Sequence, residues 1–242
     1  SGGFTWIGAA QDVIHTHIPE HILTFTLVGV IIAAVAILYR SSIIKNSNYI
    51  IPDKGTTLRN VVELYGQFIL SQARAVLGEK QAEKYYGFVS TIFIVILISN
   101  IIGLIPGFLP PTEYLNTTLA LGIFSFLYYN IKGCKEQGTI NYFKHFAGPL
   151  WYMAILIFPI EIISNFIRPI SLALRLRGNM YGDHLVLAKF SGLVPLFVPI
   201  VAMTLGLLVC FIQAYVFTVL SMVYVSLATA HHDHGEHEAH GH

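Results

Sequence analysis

The stretch "ISLALRLRGNMYGDHLVL", Ile170 to Leu187, lies in apolar sequence that reads as membrane-embedded, yet it carries two arginines, an asparagine, an aspartate and a histidine. Charge in lipid is expensive. An arginine at the bilayer centre costs from about 2.5–3.5 kcal/mol on insertion scales to about 10–17 kcal/mol in simulations of an isolated helix. Such residues persist where a counter-charge or a water-filled cavity receives them, so the stretch predicts a polar site within a membrane protein. At 100° per residue, with Arg175 at zero, Glu161 and Ser171 fall at about −40°, Ser164 and Arg168 at about −20° and Asn179 at about +40°. Six polar residues thus share one face, and Gly178 and Gly182 lie near it, where a partner helix could approach closely. Arg177 and His184 form a second, smaller polar face, about 20° apart on the opposite side.

These charges differ in how easily they are satisfied. Arg168 and Arg177 can snorkel to an interface, and Arg168 can pair with Glu161. Arg175 lies near the middle of its helix with no acidic residue three or four positions away, so its partner must come from elsewhere in the fold or from another chain.

The rest of the chain agrees with a membrane setting. Its 242 residues are 55% hydrophobic and only 11% charged, with mean hydropathy +0.65, against about 25% charged in an ordinary soluble domain. The net charge of +1 and the lack of a basic patch exclude nucleic acid as a partner. Cys134 and Cys210 lie in no metal-binding or disulfide spacing. Residues 1–21 lack the basic start and apolar core of a signal peptide, which leads one to expect a trimmed mature end.

The whole chain reads as one membrane domain of all-α class, with five membrane-embedded helical segments and one interfacial amphipathic helix. After an outer N-terminal segment, 1–21, comes a first spanning helix, Ile22–Tyr39. Thr57–Gly78 is amphipathic, with Leu58, Val61, Val62, Tyr65, Phe68, Ile69 and Val76 opposite Arg59, Glu63, Gln67 and Arg74. Such a helix suits the membrane surface, or a cap on other protein. A helical pair follows over 87–131, as Gly87–Leu109 and Leu115–Ile131. Gly148–Lys189 and Leu193–Ala230 are each about 40 residues, hence about 60 Å if helical, twice the hydrocarbon thickness. They are expected to tilt steeply and form a hairpin over 148–230, with Pro159, Pro169, Pro195 and Pro199 as places to bend. In the last segment Gln213 stands among Gly206, Cys210 and Ala214, able to bond a carboxylate or Arg175 across the hairpin.

Ten of the fourteen Lys and Arg residues lie in Arg40–Lys84 and Lys132–Lys144, and none in 1–39 or 105–131. By the positive-inside rule the N-terminus faces out and the C-terminus in. The tail 231–242, "HHDHGEHEAHGH", holds six of the eleven histidines and suggests a metal transporter as a rival class. Against that class, no His/Asp pair four residues apart occurs inside a spanning segment, so no intramembrane metal site is expected.

"RPISLALRLRGNMYGDHL" together with "FIQAYVFTVLSMVYVSLA" resembles subunit a of the F-type ATP synthases, and "NIIGLIPGFLPPTEYLNTTLALG" (Asn100–Gly122) resembles that family's third and fourth helices. The resemblance covers roughly residues 85–230. It implies a proton-channel stator in an energy-coupling membrane, facing a ring of c subunits and held by b-type peripheral stalk subunits, with no cofactor. Nucleotide chemistry would belong to other subunits, and the ring would decide between protons and sodium.

Carried over by position, Arg175 matches the arginine that faces the ring carboxylate, and Asn179 and Gln213 match polar neighbours of it. Glu161 matches an acidic position on the cytoplasmic side, and Ser171 joins the pathway through the shared polar face. His184 matches an outer half-channel position. Where many members place its His or Glu partner, this chain has Gly206, which leaves Asp183 or Glu113 as substitutes.

Overall fold

Lipid offers no hydrogen bonds to a backbone, so apolar runs of this length satisfy their amides within helices. The computed structural model describes residues 19–45, 57–105, 108, 110–137 and 197–229, and between 159 and 189 residues 159–160, 163–164, 167, 170–171, 173–179, 181–182, 185 and 189. Among these, all regular structure is helical: α1 (Glu20–Lys45), α2 (Leu58–Leu77), α3 (Glu79–Ile102), a 3-10 turn (Pro111–Glu113), α4 (Leu115–Gln137) and α5 (Phe197–Thr229). The described residues between 159 and 189 are helical too, continuously over 173–179.

Glu20–Ile43, Glu79–Ile102 and Met203–Thr229 are long and apolar enough to cross a membrane. The expected crossing Leu115–Ile131 falls within α4, which also carries Asn130, Lys132 and Lys135 and is not among those three. The fold is therefore an all-α, multi-pass membrane protein. At 33 residues, α5 is about 50 Å long and outreaches a hydrocarbon core of about 30 Å. Pro199, expected as a bend, sits in the first turn of α5, where no intrahelical amide bond is lost.

α2 begins where the Thr57 hydroxyl caps it by accepting from the Asn60 amide. It ends at Gly78, whose φ of +80° suits glycine and turns the chain sharply into α3. The two helices then run back alongside each other. The Tyr65 hydroxyl donates to the Ser90 carbonyl at 2.7 Å, which on each helix lies about 18–20 Å from the corner. Burial pushes the Tyr65 phenol up to about 12, the hydrogen bond with Ser90 pulling the other way.

Ile69, Ala73 and Leu77 of α2 are buried against α3 and α5. Near its start, however, Leu58, Val61 and Leu64 are exposed while Arg59 is buried, bonded to Glu63 at 2.7 Å. The expected polar side is thus partly the covered one, because Glu63 gives Arg59 a partner at i+4.

Helix α3 differs from the expected Gly87–Leu109 at both ends. It starts eight residues earlier, at Glu79, an acid in the first turn where the helix dipole favours it. It stops at Gly103, where the chain folds back so tightly that a Cβ would lie 2.5 Å from that of Pro110.

α5 packs on α2, α3 and α4 around a core that includes Tyr85, Phe93, Ile96, Phe217 and Met222. Polar pairs fix its register. Tyr215 donates to Gln72 Oε1 at 2.8 Å, Thr229 to Gln81 Oε1 at 2.6 Å and Ser125 to Ser221 Oγ at 3.0 Å.

Candidate functional site

Along 173–179, Ala173 and Leu176 are fully buried, Leu176 in the same core as Ala214 and Phe217, while Leu174, Arg175, Arg177 and Gly178 are exposed. Arg175 therefore stands on the face turned away from the core. The other described members of its stripe, Ser164, Ser171 and Asn179, are exposed as well. Among the described residues the ion pairs are Arg59–Glu63 and Arg74–Glu83, so Arg175 has no carboxylate at pairing distance there. Glu161, Arg168, Asp183 and His184 lie outside the described residues.

One turn beyond the arginine, Asn179 Nδ2 donates to Gln213 Oε1 at 2.6 Å, and Gln213 is only 3% exposed. The glutamine expected to reach for Arg175 thus bonds Asn179 instead, and locks the arginine segment to α5. Beside this pair is a cavity of about 370 Å³ lined by Gly178, Asn179, Gly182, Val209, Ile212 and Gln213. Its wall sets the Asn179 and Gln213 amides among apolar Val209 and Ile212, and it is large enough to hold water. A Cβ on Gly178 or Gly182 would meet nothing within 4 Å, so the approach these glycines permit is taken up by no other part of the described chain.

Arg177 is tied differently, its Nε donating to the backbone oxygen of Glu113 at 3.3 Å. This holds the arginine segment against the 3-10 turn. Carboxylate oxygen Oε2 of Glu113 is shielded from solvent. The next residue, Tyr114, has its phenol raised first by burial and then by the carboxylates of Glu20 and Glu113. The two acids therefore share one end of the molecule.

Gly206, where a polar partner for His184 is absent, is buried, and a Cβ there would lie 2.8 Å from Leu104 Cδ2. An apolar side chain fills that place. A polar hub that the sequence reading missed lies close by in the chain fold. Asn100 accepts from Thr112 Oγ1 at 2.8 Å and donates through Nδ2 to the Cys210 carbonyl at 3.5 Å, with Asn100 and Thr112 both fully buried. The signal was available: an asparagine inside the apolar run "TIFIVILISNII" needs partners as much as any charge does.

Apolar helices bearing an outward-facing arginine and an amide-lined cavity define a multi-pass membrane protein with a polar site at its surface. Residues 22–226 match the family described as "ATP synthase A chain". ATP synthase subunit a of Bdellovibrio bacteriovorus is 42% identical over 231 residues, covering 96% of this chain and 99% of that protein. The subunit of Sorangium cellulosum is 40% identical over 232 residues, covering 96% and 90%, and that of Campylobacter concisus 40% over 221 residues, covering 91% and 94%. This chain belongs to the ATP synthase A chain family, a membrane subunit with a part in ATP synthesis and ion transport.

Proposed function

We propose that the chain is the stator of a rotary ATP synthase membrane sector and conducts protons through two offset half-channels against a carboxylate on a rotating ring of c subunits. The observation that carries this reading is the outward Arg175, held on a helix whose other face is core and lacking a carboxylate partner among the described residues. A guanidinium so placed asks for a counter-charge from beyond the described helices, and a ring carboxylate would supply one.

In this mechanism a proton enters from outside past His184, with Asp183 or Glu113 serving in place of the partner absent at Gly206. It neutralises a ring carboxylate, rides nearly a full turn through lipid, and leaves past Glu161 and Ser171. Arginine keeps its charge in proteins. Arg175 therefore favours the ionised carboxylate opposite it and stops protons hopping between half-channels. The cavity at Asn179 and Gln213 leaves room for water within one turn of the arginine. The membrane potential supplies about 2.3 kcal/mol per charge per 100 mV. A sodium-coupled version would need a different ring site and leaves the role of Arg175 unchanged.

The same reading sets five crossings, the last two forming a tilted hairpin, with the N-terminus outside a bacterial inner membrane and the C-terminus in the cytoplasm. The clusters of Lys and Arg support that orientation. From the Gly78 corner at the inner boundary α2 runs back beside α3 as far as Ser90, its exposed Leu58, Val61 and Leu64 toward lipid. Peripheral b-type subunits hold the chain against the ring.

Disulfide cross-linking in the assembled complex tests the central contact. A cysteine at Ser171 should link to cysteines placed along the outer helix of the ring, while one at Leu176, on the core side, should not. Failure of every Ser171→Cys pairing in an assembled complex would sink the reading.

A further inference from the structure

The hydrogen bonds around the arginine segment close into a circuit. On one side Asn179 donates to Gln213 of α5 at 2.6 Å. On the other, Arg177 Nε donates to the Glu113 carbonyl of the 3-10 turn at 3.3 Å. That turn is itself moored, because Thr112 donates to Asn100 of α3 at 2.8 Å, and Asn100 donates in turn to the Cys210 carbonyl at 3.5 Å. Cys210 stands three residues before Gln213, so the path returns to α5 where it began.

Two arms constrain what one cannot. Positions 177 and 179 are about 200° apart on a helix, so their bonds leave it on nearly opposite sides. A helix held on one side can still roll about that contact, and a helix held on both cannot. Roll matters because Arg175 stands on the outward face. At a radius of about 5–6 Å, a roll of about 30° moves a side chain by about 3 Å. A misplacement of about 1 Å can cost on the order of 10²-fold in rate.

The support is firmer than the exposed Arg177 suggests. Asn100 and Thr112 are fully buried, and between them the chain folds back so closely that a Cβ on Gly103 would lie 2.5 Å from that of Pro110. The acceptor for Arg177 is a backbone carbonyl, so this arm asks residue 177 for a donor at the Nε position, and a neutral one would serve.

We propose that Arg177 is a positioning residue that fixes the roll of the helix carrying Arg175, with the turn at Thr112 and Glu113, moored by Asn100, as its support. The effect on pumping rests on the function proposed above, while the roll is a property of this chain alone.

The whole purified complex tests this with two readouts. Spin labels on Leu174→Cys and Ile123→Cys, both exposed, report the roll as a distance distribution in a complex otherwise free of reactive cysteines. ATP-driven pumping reports its consequence. Arg177→Met removes the donor from an exposed side chain; it should broaden or shift the distances and lower pumping about three- to tenfold, the net worth of one hydrogen bond. Arg177→Gln, whose amide nitrogen takes the place of Nε, should restore most of both. Thr112→Val should act like Arg177→Met, and the two together should be no worse than the more damaging single change, because both cut one arm. Asn179→Leu cuts the other arm and should compound with Arg177→Met beyond the sum of their losses. Unchanged distances in Arg177→Met, or altered distances with wild-type pumping, would overturn the positioning role. Equal damage from Arg177→Gln and Arg177→Met would overturn it in favour of the charge, and additive losses from Thr112→Val and Arg177→Met would remove the turn as support. Were an assembled Arg175→Ala complex to pump at wild-type rates, the proposed function would fail, and the distances would still decide the roll.

Discussion

The polar groups paired where α2, α3 and α4 meet α5 and the outward residues of the stripe through Arg175 meet opposite fates. Asn100, Thr112, Ser125, Ser221, Gln72 and Tyr215 find their partners within the chain. Ser164, Ser171 and Arg175 stand on the outside of the described helices, open to lipid or another molecule. In a soluble protein the second arrangement would need no explanation. In a membrane protein it does, because the outside is the low-dielectric side. Inward polarity here holds helices in register, and outward polarity marks the face that the proposed function gives to a docking partner.

Removing the outward charge should have the largest effect. Arg175→Ala should abolish coupled synthesis and ATP-driven pumping while leaving the complex assembled, since no packing contact is lost, and a passive proton leak should rise. Lysine should rescue poorly, as an ammonium can lose its proton in a low-dielectric site. Wild-type acidification of vesicles by an assembled Arg175→Ala complex would break the comparison outright. Arg168→Ala and Arg177→Ala should be milder.

His184→Ala should slow proton translocation without stopping it and alter its pH dependence, because imidazole titrates near pH 6.5. Rates that match wild type across roughly pH 6 to 9 would make His184 a packed polar residue only.

Gly206→His asks whether a buried place can be made polar again. The new side chain meets Leu104, so the variant should lose about 1–3 kcal/mol of stability, visible as a lower melting temperature of the complex. Leu104→Ala should recover much of that loss. No recovery in the double variant would mean that another contact excludes the histidine.

Tyr65 allows a smaller test by alkaline titration. Its phenol is raised in the folded chain, so its stabilising contribution is full below an ordinary tyrosine value of about 10 and is lost as pH rises toward the folded value. Tyr65→Phe should remove that component of the alkaline loosening of α2 from α3, followed by hydrogen exchange in α2. An identical alkaline profile in both forms would assign the loosening to other groups. Deleting residues 231–242 should change least of all, with ATP-driven pumping near wild type. That tail lies outside the described residues.

What could be read from the sequence depended on whether the signal was local. The bounds of α2 could be read almost to the residue, since Thr57 caps one end and Gly78 turns at the other. The bounds of α3 could not, because hydropathy sees neither the polar first turns from Glu79 nor the close approach of Gly103 to Pro110. Helical spacing put Ser164, Ser171, Arg175 and Asn179 on one face, and all four are exposed. Whether that face looked in or out was set by Ala173 and Leu176 meeting α5, a contact between distant segments. The bonding of Gln213 to Asn179, and the hub joining Asn100, Thr112 and Cys210, are likewise products of which helices meet.

The hydrogen bond from Asn179 to Gln213 also has a mechanical meaning. On the proposed function, a stator beside a turning ring would feel a sideways drag at each passing carboxylate, acting where the charges attract. Arg175 is one helical turn from Asn179, so such a push would enter α5 at Gln213. α5 is in turn pinned by Tyr215 to Gln72 on α2, by Ser221 to Ser125 on α4, and at its far end by Thr229 to Gln81 on α3. Three short polar bolts on three different helices oppose both sliding and rolling of α5, which greasy side chains alone resist only weakly. The described helices are thus braced as a bracket, and on that proposal its stiffness would decide how much of the attraction at Arg175 becomes rotation and how much is lost as flexing.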